Sequence, residues 1–282
     1  MRQKRNVISF MNMKGGVGKT TVCVNIAGTL ATMGHRVLVI DMDPQMNASQ
    51  YLLSPTILEQ RFKLKKTVYE LFRKDIEGPI PNLSGVEIPE EVINDKDLIS
   101  NVRKNLDILC GNLSMIKVTN DNNGTLTDCL QFFIQSNELQ DEYAFIFIDC
   151  PPTSSIYTTS SLKASNFYIL VIKPDFLSTI GLDLFENNIN TYNSRRTSEN
   201  KVHPLGIVIN LFQRSNDYHN QKIKTIKDNN MFATVFETMI ANKIPIAISS
   251  EDQKLMYETM GCKRTIGRLT KEFLKIYDEK VG

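Results

Sequence analysis

Eight residues near the amino terminus combine glycines, cations and hydroxyl groups at a spacing suited to binding phosphate. The stretch reads Lys14-Gly15-Gly16-Val17-Gly18-Lys19-Thr20-Thr21. Its glycines let several backbone N–H groups converge on one anion. Lys19 would neutralise the phosphate charge, and the Thr20 hydroxyl is a hard oxygen ligand of the kind that Mg²⁺ prefers. An apolar run at 7–11 precedes the stretch and a helical pattern at 22–33 follows it, so the context predicts a phosphate-binding loop at a helix N-terminus.

Lys14 is a second cation at this loop, five residues before Lys19. The sequence Lys-Gly-Gly-Val-Gly-Lys-Thr-Thr resembles the deviant Walker A motif of the ParA/MinD family of ATPases. The resemblance implies that residues 14–21 bind ATP together with Mg²⁺. It also implies that Lys14 reaches across a dimer to the nucleotide held by the partner subunit.

Three acidic residues follow apolar runs that are typical of buried parallel strands. Asp41 and Asp43 come after the run at 36–40, and Asp149 ends the run at 143–148. Because ligands bind at the carboxyl ends of parallel strands, we expect these acids to face the phosphate loop. Asp149 is suited to holding the water shell of Mg²⁺. The alternative for Asp41 and Asp43 is a turn in which a carboxylate caps a helix that begins near residue 47.

The same segments resemble further motifs of the family. Asp41-Met42-Asp43-Pro44-Gln45 is similar to the Walker A′ segment, which implies that Asp43 positions the attacking water and that Asp41 supports the metal shell. Residues 148–152 (Ile-Asp-Cys-Pro-Pro) are similar to the segment around the Walker B acid. Asn210, near the end of a predicted strand at 203–211, stands where family members often place a polar residue against adenine. Its alternative is a cap of the strand end.

The resemblance extends over most of the chain and implies its fold. We expect one domain over residues 1–282, an α/β fold with a doubly wound, mainly parallel sheet and helices on both faces. A variable insertion is expected at about 54–105. Two short runs at 98–100 and 106–110 could pair as a hairpin, or the second could join the main sheet. The stretch at 113–140 is predicted to be helical with an interruption, and 232–236 is predicted to be a strand.

Composition narrows the class of protein. The chain has 282 residues, 41% of them apolar and 23% charged, which is ordinary for a globular α/β protein. Five cysteines stand without a Cys-x-x-Cys pair, which disfavours a disulfide framework and a zinc or iron–sulfur site and suits a reducing cytosol. No run is long enough to span a membrane. The net charge is only +2, so any affinity for nucleic acid must come from a local basic patch.

Candidate DNA-contacting residues lie beyond the predicted strand at 203–211. Partition ATPases that bind DNA carry an arginine at the position of Arg214. Relatives also carry arginines in a later loop where this chain has Asn242 and Pro245, so its basic residues are expected at other positions. The candidates in this region are Lys243, Lys263 and Arg264. The alternative is that these cations belong to ordinary solvated helix surfaces.

The resemblance therefore implies a ParA-type ATPase that partitions a plasmid or chromosome. Such a protein dimerises on ATP, binds DNA without sequence preference and hydrolyses ATP when a ParB-type, centromere-binding partner stimulates it, and it is cytoplasmic and nucleoid-associated. One alternative is a MinD-like ATPase that grips a membrane through an amphipathic C-terminal helix, although the apolar stripe at 265–277 is expected to pack on its own domain. The others are a metabolic or cluster-carrying relative, and a nucleotide switch that barely hydrolyses ATP.

Overall fold

The described part of the chain forms one seven-stranded sheet in the computed structural model, which describes residues 4–77, 95–118, 126–228 and 234–282. The strands are β1 (Val7–Met11), β2 (Val37–Asp41), β3 (Ile99–Arg103), β4 (Leu106–Leu109), β5 (Phe145–Asp149), β6 (Phe167–Ile172) and β7 (His203–Ile209). Their order is β3-β4-β2-β5-β1-β6-β7, and every neighbouring pair is parallel except β3 with β4. The predicted doubly wound α/β fold is confirmed.

Helices cover both faces of the sheet. They are α1 (Lys19–Thr32), α2 (Asn47–Leu52), α3 (Pro55–Lys63), α4 (Tyr69–Glu77), α5 (Cys129–Ser136), α6 (Leu139–Glu142), α7 (Ile156–Ala164), α8 (Phe176–Ser194), α9 (Asp217–Asp228), α10 (Ile244–Glu251) and α11 (Lys263–Val281). Alternate residues of a strand enter two different cores: Ile8 and Phe10 of β1 join one, and Val7 and Met11 join the other. Strands β1, β2, β5 and β6 are buried at every position, so most of their residues are apolar.

The topology brings the candidate acids to one edge of the sheet. In the parallel pairing of β2 with β5, Asp41 and Asp149 are register partners at the carboxyl ends of their strands. Strand β1 pairs with β5 on the other side, and Phe10 is the partner of Asp149 there. The loop that follows β1 therefore leaves the sheet beside both carboxylates, as the strand pattern predicted.

Some of the predicted elements differ from the structure. The stretch at 54–105, expected to be an insertion, contains α3, α4 and the edge strand β3, and residues 78–94 lie outside the described part. Strand β4 pairs antiparallel with β3 and parallel with β2. The two runs therefore form a hairpin, and the second run also joins the main sheet. In 113–140 the structure has a 3₁₀ turn, α5 and α6, and the predicted interruption lies outside the described residues.

The strand predicted at 232–236 is wrong where it can be compared with the structure. Residues 232 and 233 lie outside the described part, and Val235 forms an isolated bridge to Ile207 instead of extending a strand. Gly206 beside it allows this close approach, because a Cβ there would lie 2.8 Å from the carbonyl oxygen of Thr234. A short β-like sequence at a sheet edge is therefore held by one bridge, and its apolar residue Phe236 is buried in the core.

The apolar stripe of α11 packs inside the domain. It consists of Ile266, Leu269, Phe273 and Ile276, all of them buried, and the helix lies against α1. Phe273 packs edge-to-face against Phe145 and Phe147 of the central strand β5. The stripe is thus used in the core, as the sequence led us to expect, and is not presented to a membrane. Among the described residues, no helix is long and apolar enough to cross a bilayer.

Candidate nucleotide-binding site

The glycine-rich loop runs from β1 to the first turn of α1. Gly16 and Gly18 have φ angles of 74° and 81°, in the left-handed region where a Cβ causes strain. Gly18 directly precedes α1, and no side chain caps that helix N-terminus. The first N–H groups of α1 therefore have no partner within the helix and face the loop. This is the local geometry that a phosphate group binds.

Asn210 supports the loop from behind. Its carboxamide Nδ2 donates to the carbonyl oxygens of Val17 at 2.8 Å and of Gly18 at 3.5 Å, and the residue is 1% exposed. A Cβ at Gly18 would lie 2.2 Å from this nitrogen, so the contact itself requires glycine there. Asn210 keeps its other amide atom, Oδ1, buried without a hydrogen-bond partner among the described residues, and its contact with the base stays a prediction. Asn210 fixes the shape of the loop, and Val17 contributes its backbone and a buried side chain.

Thr20 and Asp149 meet at the floor of the loop. The Thr20 hydroxyl donates to Asp149 Oδ2 at 2.6 Å, and Asp149 is fully buried. Its other oxygen, Oδ1, is buried with no hydrogen-bond partner among the described residues. Burial, together with the nearby charge of Asp41, raises the pKa of Asp149 to about 8. A buried carboxylate oxygen without a partner, beside a hydroxyl, is a donor set that fits a hard cation such as Mg²⁺.

Both carboxylate oxygens of Asp41 accept hydrogen bonds from the protein. Its Oδ2 accepts hydrogen bonds from the backbone N–H and the hydroxyl of Ser49, at 2.8 and 2.6 Å, and its Oδ1 accepts from the N–H of Asp43 at 3.2 Å. Burial is the main reason that the pKa of Asp41 is raised to about 7. Asp41 thus caps the first turn of α2, which is the alternative that the sequence left open. The support of the metal shell that the resemblance implies for Asp41 stays a prediction.

Asp43 lies on the wall of the cavity beside the loop. Its Oδ1 accepts a hydrogen bond from the N–H of Gln45 at 2.9 Å. Its Oδ2 has no hydrogen-bond partner among the residues that the structure describes. The side chain is 6% exposed, so the carboxylate is held in place while one oxygen remains available. This arrangement could orient a water molecule toward a phosphate in the cavity.

Lys19 is a buried cation at the start of α1. It is 7% exposed, and burial lowers the pKa of its ammonium group while the charge of Asp149 opposes that effect. A buried ammonium is stabilised by an anion nearby. The loop glycines, Lys19, Asp149 and Thr20 therefore form a site with opposite charges side by side, suited to an anion and its counter-cation.

A cavity of about 780 Å³ opens from the loop toward α2 and α10. On one side it is lined by Gly15, Gly16, Gly18, Lys19, Thr20 and Thr21, and on the other by residues that include Gln50, Tyr51, Ser250, Glu251 and Gln253. This volume is within the usual range for small-molecule and cofactor sites. Lys14, Val17, Asp41, Asp149 and Asn210 do not line it.

The far wall of the cavity depends on buried contacts that the sequence analysis missed. Asn25 of α1 donates to the Tyr51 hydroxyl at 3.1 Å and accepts from the N–H of Met256 at 2.5 Å. Gln253 donates to the carbonyl oxygens of Gln50 and Leu53. These contacts join α1, α2 and the segment after α10 around the cavity. No local pattern marks them, because the partners of Asn25 and Gln253 lie up to 231 residues away in the chain.

Lys14 does not line the cavity. Its Nζ lies 2.6 Å from Asp175 Oδ2, in the turn between β6 and α8 of the same subunit. Asp175 is a fourth acid at the carboxyl end of a strand, and the rule that identified Asp149 could also have identified it. The structure thus brings Lys19, Thr20, Asp43 and Asp149 together but gives Lys14 a partner of its own.

The predicted DNA-contacting residues lie on neighbouring exposed segments. The chain around Phe212 bonds to the backbone of Ile240 and Asn242, which places Arg214 next to the loop of Lys243. Lys243 Nζ donates to the carbonyl oxygen of Gly261 at 3.4 Å, which brings this loop to the start of α11. All four candidate cations, Arg214, Lys243, Lys263 and Arg264, are exposed. They can therefore belong to one basic surface.

Comparison with known proteins identifies the family of the chain. The model of a protein family described as an AAA domain matches residues 5–202, which is more than half of the chain. The chain belongs to this family.

Its relatives include a chromosome partitioning protein. The chain is 25% identical to the chromosome partitioning protein ParA of Caulobacter vibrioides, over 78% of this chain and 75% of that protein. It is 23% identical to the sporulation initiation inhibitor protein Soj of Bacillus subtilis, over 78% of each. A crystal structure of a plasmid partition protein from Borrelia burgdorferi bound to AMPPNP has a TM-score of 0.74 to this chain, with 21% identity, and covers 99% of this chain and 100% of its own; that likeness concerns the fold. The predicted membership of the ParA/MinD group of P-loop ATPases is confirmed.

Proposed function

We propose that the protein is a ParA-type ATPase that partitions DNA: it binds ATP with Mg²⁺, dimerises, holds DNA without sequence preference and releases it after hydrolysis. The observation that supports this most is the Thr20–Asp149 contact at the end of the phosphate loop. It joins the hydroxyl and the carboxylate that a magnesium nucleotide requires, at the edge of the sheet where such ligands bind.

In this proposal each residue of the site has one task. The loop N–H groups and Lys19 hold the β- and γ-phosphates, and Thr20 with Asp149 holds Mg²⁺ and its water shell. Bound Mg²⁺ would neutralise phosphate charge during phosphoryl transfer. Asp43 orients the attacking water with its available oxygen. Hydrolysis of this kind depends on positioning and charge more than on covalent chemistry by the protein.

Dimerisation completes the site. We propose that two subunits meet across their loops in a two-fold arrangement, and that Lys14 of each subunit contacts the nucleotide held by the other. Asp41 and Asn210 contribute indirectly, since one caps α2 and the other fixes the loop. A ParB-type partner would stimulate hydrolysis. A cytoplasmic, nucleoid-associated location would follow from DNA binding.

The surface formed by Arg214, Lys243, Lys263 and Arg264 is proposed to contact DNA phosphates. Contacts of this type carry no sequence information and weaken steeply with salt. The burial of the apolar stripe of α11 gives no support to the alternative of a membrane-gripping helix.

DNA affinity measured across salt, with ATP, with ADP and without nucleotide, tests this proposal. We expect tight binding only with ATP. Replacing Arg214, Lys243 and Lys263 by Gln should weaken binding on all sequences and reduce the slope of log affinity against log salt by about 0.9 for each lost phosphate contact. Lys104→Gln, a change at an exposed lysine of the β3–β4 turn, is the matched control. Two results would contradict the proposal: a DNA affinity that is the same with ATP, with ADP and without nucleotide, or an unchanged DNA affinity in the triple variant.

A further inference from the structure

We propose that Asp175 is a positioning residue that retains Lys14 within its own subunit and yields it when a second subunit docks. The inference rests on the proposed ATP dimer and adds the step that precedes it. The Lys14 ammonium lies 2.6 Å from Asp175 Oδ2, with the two side chains 37% and 22% exposed. A lysine meant for another subunit is therefore held by a carboxylate of its own.

A second contact fixes the same two segments against each other. Asn12 Nδ2 donates to the carbonyl oxygen of Val171 at 2.6 Å, and Asn12 Oδ1 accepts the N–H of Lys14 at 2.8 Å. The backbone before the loop is thereby tied to the end of β6. With the backbone of Lys14 fixed, Asp175 determines where its flexible side chain points.

The ion pair is weak enough to exchange. Pairs that are partly open to water contribute little stability, because solvent screens them and ordering two side chains costs entropy. A triphosphate presented by a second subunit carries several negative charges, whereas Asp175 carries one. The phosphate therefore competes with Asp175 for the ammonium, and the strength of the resident pair sets how readily a dimer forms.

The segment around Lys14 is partly open to solvent. Met13, the neighbour of Lys14, lines a second cavity of about 840 Å³ between α7 and α8, together with Leu162, Phe185 and Ile189. Met13 is 41% exposed. The Lys14 side chain is itself 37% exposed, so it can leave Asp175 without displacing a packed core.

Replacement of Asp175 by Asn tests the proposal, because it removes the charge and keeps the shape. With a non-hydrolysable ATP analogue, the dimer dissociation constant measured by analytical ultracentrifugation should fall about two- to thirtyfold, because a two-fold dimer breaks two of these partly exposed pairs. The gain should shrink as salt rises, since salt screens the pair that the wild type must break. Asp175→Glu, which can restore the pair, should return to the wild-type constant. Asp183→Asn, at an exposed carboxylate of α8, should have no effect.

A second measurement reports on Lys14 directly. Acetic anhydride acylates free amines, and peptide mass spectrometry quantifies the modification of each lysine. In the nucleotide-free protein, labelling of Lys14 should rise severalfold in Asp175→Asn, while labelling of Lys104 stays constant. Unchanged labelling of Lys14, or a weaker dimer in Asp175→Asn, would overturn the proposal. A wild-type protein that stays monomeric with ATP would contradict the proposed dimer, and the labelling result would still decide whether Asp175 holds Lys14.

Discussion

Lys19→Ala is expected to abolish measurable ATP binding. Lys19 is the buried cation of the phosphate loop, and burial already lowers the pKa of its ammonium, which an anion would relieve. Hydrogen bonds to charged groups contribute about 1.5–3 kcal/mol each, so losing the ammonium and its two phosphate contacts should weaken binding by about 10²- to 10⁴-fold, enough to take it below what calorimetry resolves. Titration calorimetry with ATP and Mg²⁺ measures the change.

Controls for this variant separate binding from folding. The free energy of unfolding should not fall much, because Ala removes a buried charge without leaving a polar group unpaired on α1. Lys104→Ala, at an exposed position outside the cavity, should keep wild-type affinity for ATP. Equal ATP affinity in Lys19→Ala and the wild type would remove the glycine-rich loop as the phosphate site.

Asp43→Ala is expected to stop hydrolysis while leaving ATP bound. The carboxylate is fixed by the N–H of Gln45 and keeps one oxygen available beside the cavity, so its loss should leave the attacking water unoriented. Groups that assist proton transfer or position a nucleophile contribute about 10²–10⁴-fold in rate. We expect phosphate release to fall by about 100-fold or more, and the ATP-bound dimer to persist because nothing removes the γ-phosphate.

Phosphate release and light scattering in the same samples test this second prediction. Asp278→Ala, at an exposed carboxylate of α11, is the matched control and should turn over like the wild type. Normal turnover in Asp43→Ala would exclude Asp43 from the chemistry. Loss of the dimer together with loss of turnover would instead assign Asp43 to assembly.

The fold and the phosphate loop could be predicted from local sequence because their signals are local. Continuous apolar runs mark strands buried on both faces, and Asp149 ends such a run. Glycines at 16 and 18 predict a left-handed backbone directly before a helix, and both residues have positive φ angles. The carboxyl-edge rule then places the acids beside the loop, and the register of Asp41 with Asp149 bears this out.

The partners of individual side chains could not be predicted in the same way. The strand pattern places Asp41 at the edge of the sheet where ligands bind. In the structure, Ser49 of α2 donates two hydrogen bonds to one of its oxygens. Asn210 follows the end of β7. Its hydrogen bond to the carbonyl oxygen of Val17 depends on how β7 packs behind the loop, which the sequence does not show. Lys14 and Asp175 are 161 residues apart, and no periodicity relates them. Such contacts arise from tertiary packing, which a single sequence does not encode locally.

The mass of Lys14→Ala in solution with ATP, measured by light scattering, tests the central claim most directly. The account predicts that the wild type becomes a dimer with ATP, whereas Lys14→Ala binds ATP with similar affinity and remains a monomer, because each nucleotide then lacks the cation from the opposite subunit. ATP-dependent dimers of Lys14→Ala at the wild-type concentration range would contradict it.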